Sequence, residues 1–457
     1  MFNLLKQITD WLWLYPMLVI LVGGGILMSF TLRFFQVTKF PFIIGETFGK
    51  IFKKSDGSGT ITPFQAATSA LASTIGAANI VGVPLAIATG GPGAIFWMWL
   101  IAIFGCALKY SEIILGIKYR VKNEEGEYVG GPMYYLKNGA KLPFIGSLFA
   151  FFLMIEIAPS IATQSASIVQ TAQTININPV VTGVTVIIIV GLVVYGGIKR
   201  IAKVTEKLVP LMAIAYFLIA AITIGANWSN IPNTFKLIFE GAFNSTAAVG
   251  GFAGSVVAAT IKAGASRGAY SNEAGMGTST IAHSAAVTDY PARQGLWGIF
   301  EIIVDTLGIC TVTAFLVLTT GVWSSVGADK AAAMPSIAIQ SVLGNKFGGG
   351  FLTICMMMFV LSTLIVVIFY GEKQAEYLFG LKASKVARFV YLGFIMVGAL
   401  CNLGNIVVLL DFTLAGVIGT NMIGVVKLRK EVKKESDRFF RSIEFKNQRI
   451  NENDKII

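Results

Sequence analysis

The sequence predicts an all-α integral membrane protein of eleven transmembrane helices, one N-terminal helix followed by two five-helix halves. Three observations carry this expectation. Apolar runs of about 20 residues recur along the chain, separated by short charged segments. The residues are 55% hydrophobic and only 13% charged, with a mean hydropathy of +0.72, whereas soluble domains carry about a quarter charged residues. Clusters of small residues interrupt two of the runs at corresponding places in the two halves.

The runs lie near 12–32, 62–90, 94–117, 144–173, 179–196, 206–226, 241–261, 294–320, 351–371, 388–403 and 405–426. The first follows a short N-terminus with no basic leader and no small-residue cleavage site, so it reads as a retained helix rather than a signal peptide. The expected organisation is an N-terminal helix and loop over 1–61, a first repeat over 62–226, a second over 227–427, and a basic tail over 428–457.

Lysine and arginine set the expected orientation. With the N-terminus outside, the inside segments hold the basic residues of 33–54, 118–141 and 199–207. They also hold Lys262, Arg267, Arg293, Lys373, Lys382, Lys385, Arg388 and ten in the tail. The outside holds Lys6, Lys236, Lys330 and Lys346. The expected location is the plasma membrane, with the C-terminus cytoplasmic. The net charge of +12 is then mostly topological, and no folded basic face points to nucleic acid. The tail reads as a solvated segment, with binding to anionic headgroups through its basic cluster as the other reading.

Cys106, Cys310, Cys355 and Cys401 fall in hydrophobic runs without paired spacing and read as buried apolar residues. His283 is the only histidine, which excludes a multi-histidine metal centre. Neither a phosphate-cradling glycine loop nor a nucleophile elbow is present. No enzyme and no organic cofactor is expected.

The stretch "TIGAANIVGVP", 74–84, places Gly76, Ala77 and Ala78 beside Asn79 inside an apolar run. The stretch "AAVGGFAGS" places Gly250, Gly251 and Gly254 in another. Small residues also let membrane helices pack closely, and either stretch alone fits that reading. With the first helix set aside, however, the two stretches fall in the first and sixth of ten helices. Such paired interruptions point to the binding site of an inverted-repeat transporter. Unwinding frees N–H groups at the positive end of a half-helix, which suits a carboxylate. The carbonyls of the preceding half-helix suit a small hard cation such as Na⁺, and Asn79 adds an amide at the same level. Glu301 and Asp305 stand at i, i+4, and Asp411 lies early in the last helix. Each reads either as functional or as a structural partner for freed backbone, Lys262 or Arg267.

The segments "GGPGAIFWMWLIAIFGCALKYSE" (90–112), "GGPMYYL" (130–136), "SRGAYSNEAGMGTSTIAHSAAVTDYPARQG" (266–295) and "DTLGICTVTA" (305–314) resemble the alanine/glycine:cation symporter family. The resemblance extends through most of 65–425. It implies a LeuT-like core of two inverted five-helix repeats, preceded here by one additional helix. It also implies Na⁺ as the coupling ion. By the match of "GAANIVGVP", the amides of Ala77 and Ala78 would hold a substrate carboxylate, with Gly76 and Asn79 beside them. The carbonyls of Ala72 and Ile75 and the hydroxyls of Ser362 and Thr363 would hold Na⁺. Gly250, Gly251 and Phe252 would form the second break, and Gln164 and Val367 would line the pocket.

Three stretches differ from the family pattern: Gly76-Ala77-Ala78-Asn79 for Gly-Thr-Gly-Asn, Val366-Val367 for Gly-Trp, and "SIATQ" (160–164) for a stretch containing Asn-Met-Val-Gln. The expectation is a monomer in the lipid bilayer that imports a small neutral amino acid with Na⁺ by alternating access. The substrate is of the alanine/glycine class or carries a somewhat larger side chain. The alternatives are proton coupling through Glu301, Asp305 or Asp411, a channel, or a substrate-sensing membrane protein with a transporter fold.

Overall fold

The computed structural model describes residues 2–53, 55–173, 177–243, 257–401 and 404–453. Among them, eight helices are long and apolar enough to cross a membrane, and nine when a bent pair counts as one span. Of the eleven expected runs, that at 179–196 is a shorter helix, Pro179–Val194, of 16 residues. The run at 241–261 falls largely on 244–256, outside the described residues.

Helix α1 (Phe2–Leu14) and helix α2 (Pro16–Thr31) form the N-terminal span, interrupted at Tyr15 before Pro16. The bent pair follows as α3 (Pro63–Thr74) and α4 (Ala78–Gly90), inclined at 51°. Helix α3 opens with a capping box. Thr62 Oγ1 accepts from the Gln65 N–H at 3.1 Å, Gln65 Oε1 accepts from the Thr62 N–H at 3.0 Å, and Pro63 takes a position where no N–H is needed. Gln65 Nε2 also donates to Glu206 Oε2 at 2.5 Å, latching α3 to a later helix.

The chain continues with α5 (Ala94–Lys118), α6 (Pro143–Gln173), α7 (Pro179–Val194) and α8 (Gly197–Ala226). A two-stranded hairpin, with Val121 opposite Val129 and Lys122 opposite Tyr128, lies between α5 and α6. After α9 (Ile231–Phe243) come α10 (Val257–Asn272) and the short α11 (Ser279–His283). Helix α12 (Pro291–Thr319) contains a π-helical stretch over Ile303–Cys310. The remainder is α13 (Met334–Leu343), α14 (Asn345–Phe379), α15 (Leu381–Leu400), α16 (Gly404–Lys427) and α17 (Arg429–Asn453).

Two expectations are corrected. Lys262 and Arg267 were placed in an inside loop, yet both lie within helix α10. A basic side chain is tolerated in a buried helix where it faces a cavity. Arg267 does face one, described below. The tail is not solvated over its first turns. Helix α17 packs on the body with Val432 and Phe439 fully buried, and Tyr110 Oη bonds Ser436 Oγ at 2.9 Å. Lys118 Nζ reaches Glu431 at 2.6 Å and Glu435 at 2.8 Å, and these bonds hold the Glu431 carboxyl below its ordinary pKa.

The start of α5 meets the end of α9 and the middle of α10 through glycine. A Cβ on Gly264 would lie 2.2 Å from the Ala94 carbonyl oxygen, and one on Gly93 would lie 2.1 Å from the Gly241 carbonyl carbon. Both obstacles are backbone, so neither can turn aside. Small residues here let the helices approach closely. Gly264→Val should therefore destabilise the protein by about 1–3 kcal/mol or more, lowering its thermal midpoint in detergent. Gly225 has nothing within 4 Å of its Cβ position, so Gly225→Ala should leave that midpoint unchanged or slightly raised.

Candidate functional site

The first break lies at Ile75–Ala77. Ile75 is extended, with φ −81° and ψ 94°, and α4 begins with a π-helical turn over Ala78–Gly82. Asn79 holds this break together and is fully buried. Its Oδ1 accepts from the Gly76 N–H at 2.9 Å. Its Nδ2 donates to Asp305 Oδ1 at 2.6 Å and to Ser271 Oγ at 3.0 Å. Asp305 Oδ2 accepts from Ser271 at 2.7 Å and from Thr306 at 2.8 Å. The Asn79 side chain thus points into a protein network and does not line the cavity described next.

A cavity of about 150 Å³ opens at the start of α4. Ala77, Ala78, Val81 and Gly82 line one side, Thr163, Gln164 and Ser167 of α6 a second, and Arg267 and Tyr270 of α10 a third. An apolar cavity of that size admits a molecule as large as benzene. Gln164 Oε1 is buried without a hydrogen-bond partner. Arg267 forms no ion pair among the described residues. The walls therefore offer one orphan acceptor and one cation, complementary to the two ends of a zwitterion.

Gly76 sits where a Cβ would lie 2.9 Å from Thr363 Oγ1 and 3.2 Å from Gln164 Nε2. Thr363 Oγ1 lies 3.4 Å from the Ile75 carbonyl and donates to the Phe359 carbonyl at 3.0 Å. The structure thus brings Thr363 to the break. Ser362 instead donates to the Phe359 carbonyl at 2.8 Å and lies 3.5 Å from Met212 Sδ of α8. Ala72 is fully buried in the last turn of α3. The oxygens gathered beside Ile75 are of the kind a hard cation takes. Val367 is buried one turn beyond Thr363 and is not among the residues lining the cavity. Gly250, Gly251 and Phe252 lie outside the described residues.

A second break, missed in the sequence reading, faces the first. Helix α10 ends at Asn272, and Glu273, Gly275 and Gly277 have φ of 55°, 91° and 75° before α11 begins. Its freed carbonyls have partners. Lys109 Nζ donates to the Asn272 carbonyl at 2.8 Å, and Asn421 Nδ2 to the Gly275 carbonyl at 2.8 Å. Glu273 Oε2 accepts from Thr278 at 2.5 Å and lies 3.5 Å from Ser73 Oγ of α3, joining the two breaks. The signal for this break was the pair of glycines in "SNEAGMG".

The acids of α12 part company. Glu301 lies 3.3 Å from Lys109 Nζ and bonds His283, whose Nδ1 meets Gln294 Nε2 at 2.9 Å. Asp305 belongs to the Asn79 network. Lys262 and Arg267 pair with neither acid. Lys262 instead borders a small cavity beside Trp13 and Ile101.

Removing the Asn79 side chain strands the Gly76 N–H and one oxygen of Asp305 in the interior. Each buried group left without a partner costs about 1–3 kcal/mol. Asn79→Ala should therefore lower the unfolding midpoint in detergent well beyond any effect of Ser271→Ala. Ser271→Ala leaves Asp305 its bonds from Asn79 and Thr306. Equal midpoints for the wild type and Asn79→Ala would refute the clamp.

Comparison with known proteins identifies the family. The family model described as the sodium:alanine symporter family matches residues 1–453. The chain is 48% identical to a protein named uncharacterized transporter YflA from Bacillus subtilis, over 96% of this chain and 94% of that one. It is 36% identical to sodium/alanine symporter AgcS from Methanococcus maripaludis, over 96% and 97%. Among solved structures, MhsT in complex with L-phenylalanine matches with a TM-score of 0.59 at 14% identity, over 83% of this chain and 93% of that one, a similarity of fold alone. With its two facing breaks and a family match along nearly its whole length, the chain belongs to the sodium:alanine symporter family.

Proposed function

We propose that the protein imports a small neutral amino acid together with Na⁺ by alternating access, working as a monomer in the plasma membrane. In this reading the N-terminus is outside and the C-terminus cytoplasmic. The core is a LeuT-like pair of inverted five-helix repeats, over 62–226 and 227–427, and the N-terminal helix brings the total to eleven. The observation that carries the reading is the adjacency at the first break. There a 150 Å³ cavity with an orphan acceptor and the Arg267 guanidinium adjoins the Ile75 carbonyl and the Thr363 hydroxyl.

Gln164 Oε1 would accept from the substrate ammonium. The carboxylate would meet the positive start of α4 at Ala77 and Ala78, and Arg267 supplies a counter-charge from α10. Ile75, Ala72 and Thr363 would hold Na⁺ one layer away, with Ser362 behind them. The driving force suffices: one Na⁺ crossing 100 mV releases about 2.3 kcal/mol and a tenfold gradient adds about 1.4 kcal/mol.

A second reading, proton coupling, has its own support. The side chains that hydrogen-bond to the Asp305 carboxylate, those of Asn79, Ser271 and Thr306, are all neutral. Uptake that persists with Na⁺ replaced by choline, and is lost in Asp305→Asn, would favour it.

Two expected outcomes follow for reconstituted protein. Thr363→Ala should raise the Na⁺ concentration for half-maximal uptake several-fold, with substrate affinity at saturating Na⁺ little changed. An unchanged Na⁺ dependence would return Thr363 to a structural role. Arg267→Gln should weaken substrate binding tenfold or more, since a charge-assisted hydrogen bond contributes about 1.5–3 kcal/mol. A competition assay in which Arg267→Gln binds as the wild type does would remove Arg267 from the site.

A further inference from the structure

The end of α2, the short helix Phe35–Thr38 with Lys39 after it, and α17 line a cavity of about 400 Å³. Arg33, Lys39, Lys433 and Arg441 line it, against a single acid, Asp437. None of the four cations forms an ion pair among the described residues. Lys39 Nζ instead lies 4.1 Å over the Phe440 ring.

The charge on α17 is sorted by face. Glu431 and Glu435 turn away to bind Lys118 on α5, which leaves Lys433 and Arg441 on the cavity side without those acids. On the opposite wall the chain reverses through Arg33 and Phe34, both left-handed, with φ of 59° and 52°. This reversal brings the basic end of α2 to the same cavity as Lys39. Phe35 and Phe440 supply its apolar part.

The residues next to the cavity in sequence are apolar and face outward. Phe30 is 66% exposed, Val37 57% and Phe40 42%. A concave basic site bordered by an exposed apolar belt, at the end of a membrane helix, matches a ligand with an anionic head and hydrocarbon chains. A soluble anion would use only the first of these features.

We propose that this cavity binds the headgroup of an anionic phospholipid, with the acyl chains lying along Phe30, Val37 and Phe40. The lipid phosphate would bridge Arg33 and Lys39 on one wall to Lys433 and Arg441 on the other, and so secure α17 to the end of α2. The proposal stands independently of the transport reading.

The test is native mass spectrometry of the full-length protein in detergent, titrated with phosphatidylglycerol or phosphatidylcholine. The wild type should retain phosphatidylglycerol at least tenfold better than phosphatidylcholine. The double variant Arg33→Gln/Lys433→Gln should lose that preference. Lys382→Gln/Lys385→Gln removes two exposed charges on α15 and should keep it. Unfolding midpoints of both double variants close to that of the wild type would establish that they are folded. Equal retention of the two lipids by the wild type, or undiminished preference in Arg33→Gln/Lys433→Gln, overturns the proposal. Displacement of phosphatidylglycerol by millimolar inorganic phosphate also overturns it, in favour of a free-anion site.

Discussion

One side-chain amide holds the centre of this protein open. A helix broken inside a bilayer exposes backbone groups that water cannot reach, and each must find a partner within the protein. Asn79 meets this constraint in three directions at once. Its oxygen takes the Gly76 N–H, and its nitrogen reaches Asp305 on α12 and Ser271 at the end of α10. No other side chain of that size presents an acceptor and two donors without a charge. Aspartate would confront Asp305 with a second carboxylate, and leucine would satisfy nothing. The cavity beside Ala77 and Ala78 exists because this bracing is done from behind, leaving the front of the break clear.

The second break is braced differently, and the difference explains where charge sits in the molecule. Its carbonyls face outward from the chain, so they need donors rather than acceptors, and Lys109 and Asn421 supply them. A buried lysine requires a counter-charge, which Glu301 provides at 3.3 Å. The π-helical stretch over Ile303–Cys310 then alters the angular spacing along α12. Glu301 serves the lysine while Asp305 serves the asparagine. Two acids four residues apart thus support opposite breaks.

Much of this was legible in the sequence, and the failures have physical causes. Hydropathy marks membrane class and most spans because lipid demands apolar length. The first break was readable because small residues and an asparagine interrupt an otherwise apolar run. The break expected at Gly250 and Gly251 lies outside the described residues, and the sequence offered no expectation of the one seen further on. The break at Asn272–Gly277 is polar enough to resemble a loop, and Lys262 and Arg267 before it deepened that resemblance. Hydropathy cannot tell a loop from a helix whose basic residues face a cavity. Asn79 was expected beside a ligand. It also bonds Asp305, 226 residues away, and no local pattern reports that. In the tail, Val432, Ser436 and Phe439 recur at helical spacing on the buried face, a pattern masked by the density of charge around it.

The capping box at the start of α3 has a mechanical consequence. Gln65 does two things: its oxygen closes the cap within α3, and its nitrogen reaches across to Glu206 on α8. A second, buried bond joins the same two helices one turn on, between Ser69 Oγ and Thr205 Oγ1 at 3.0 Å. Helix α3 is thus fixed to α8 as a stiff, capped rod that ends at the non-helical Ile75, so a force carried by α8 would reach the Ile75 carbonyl without first unwinding the rod.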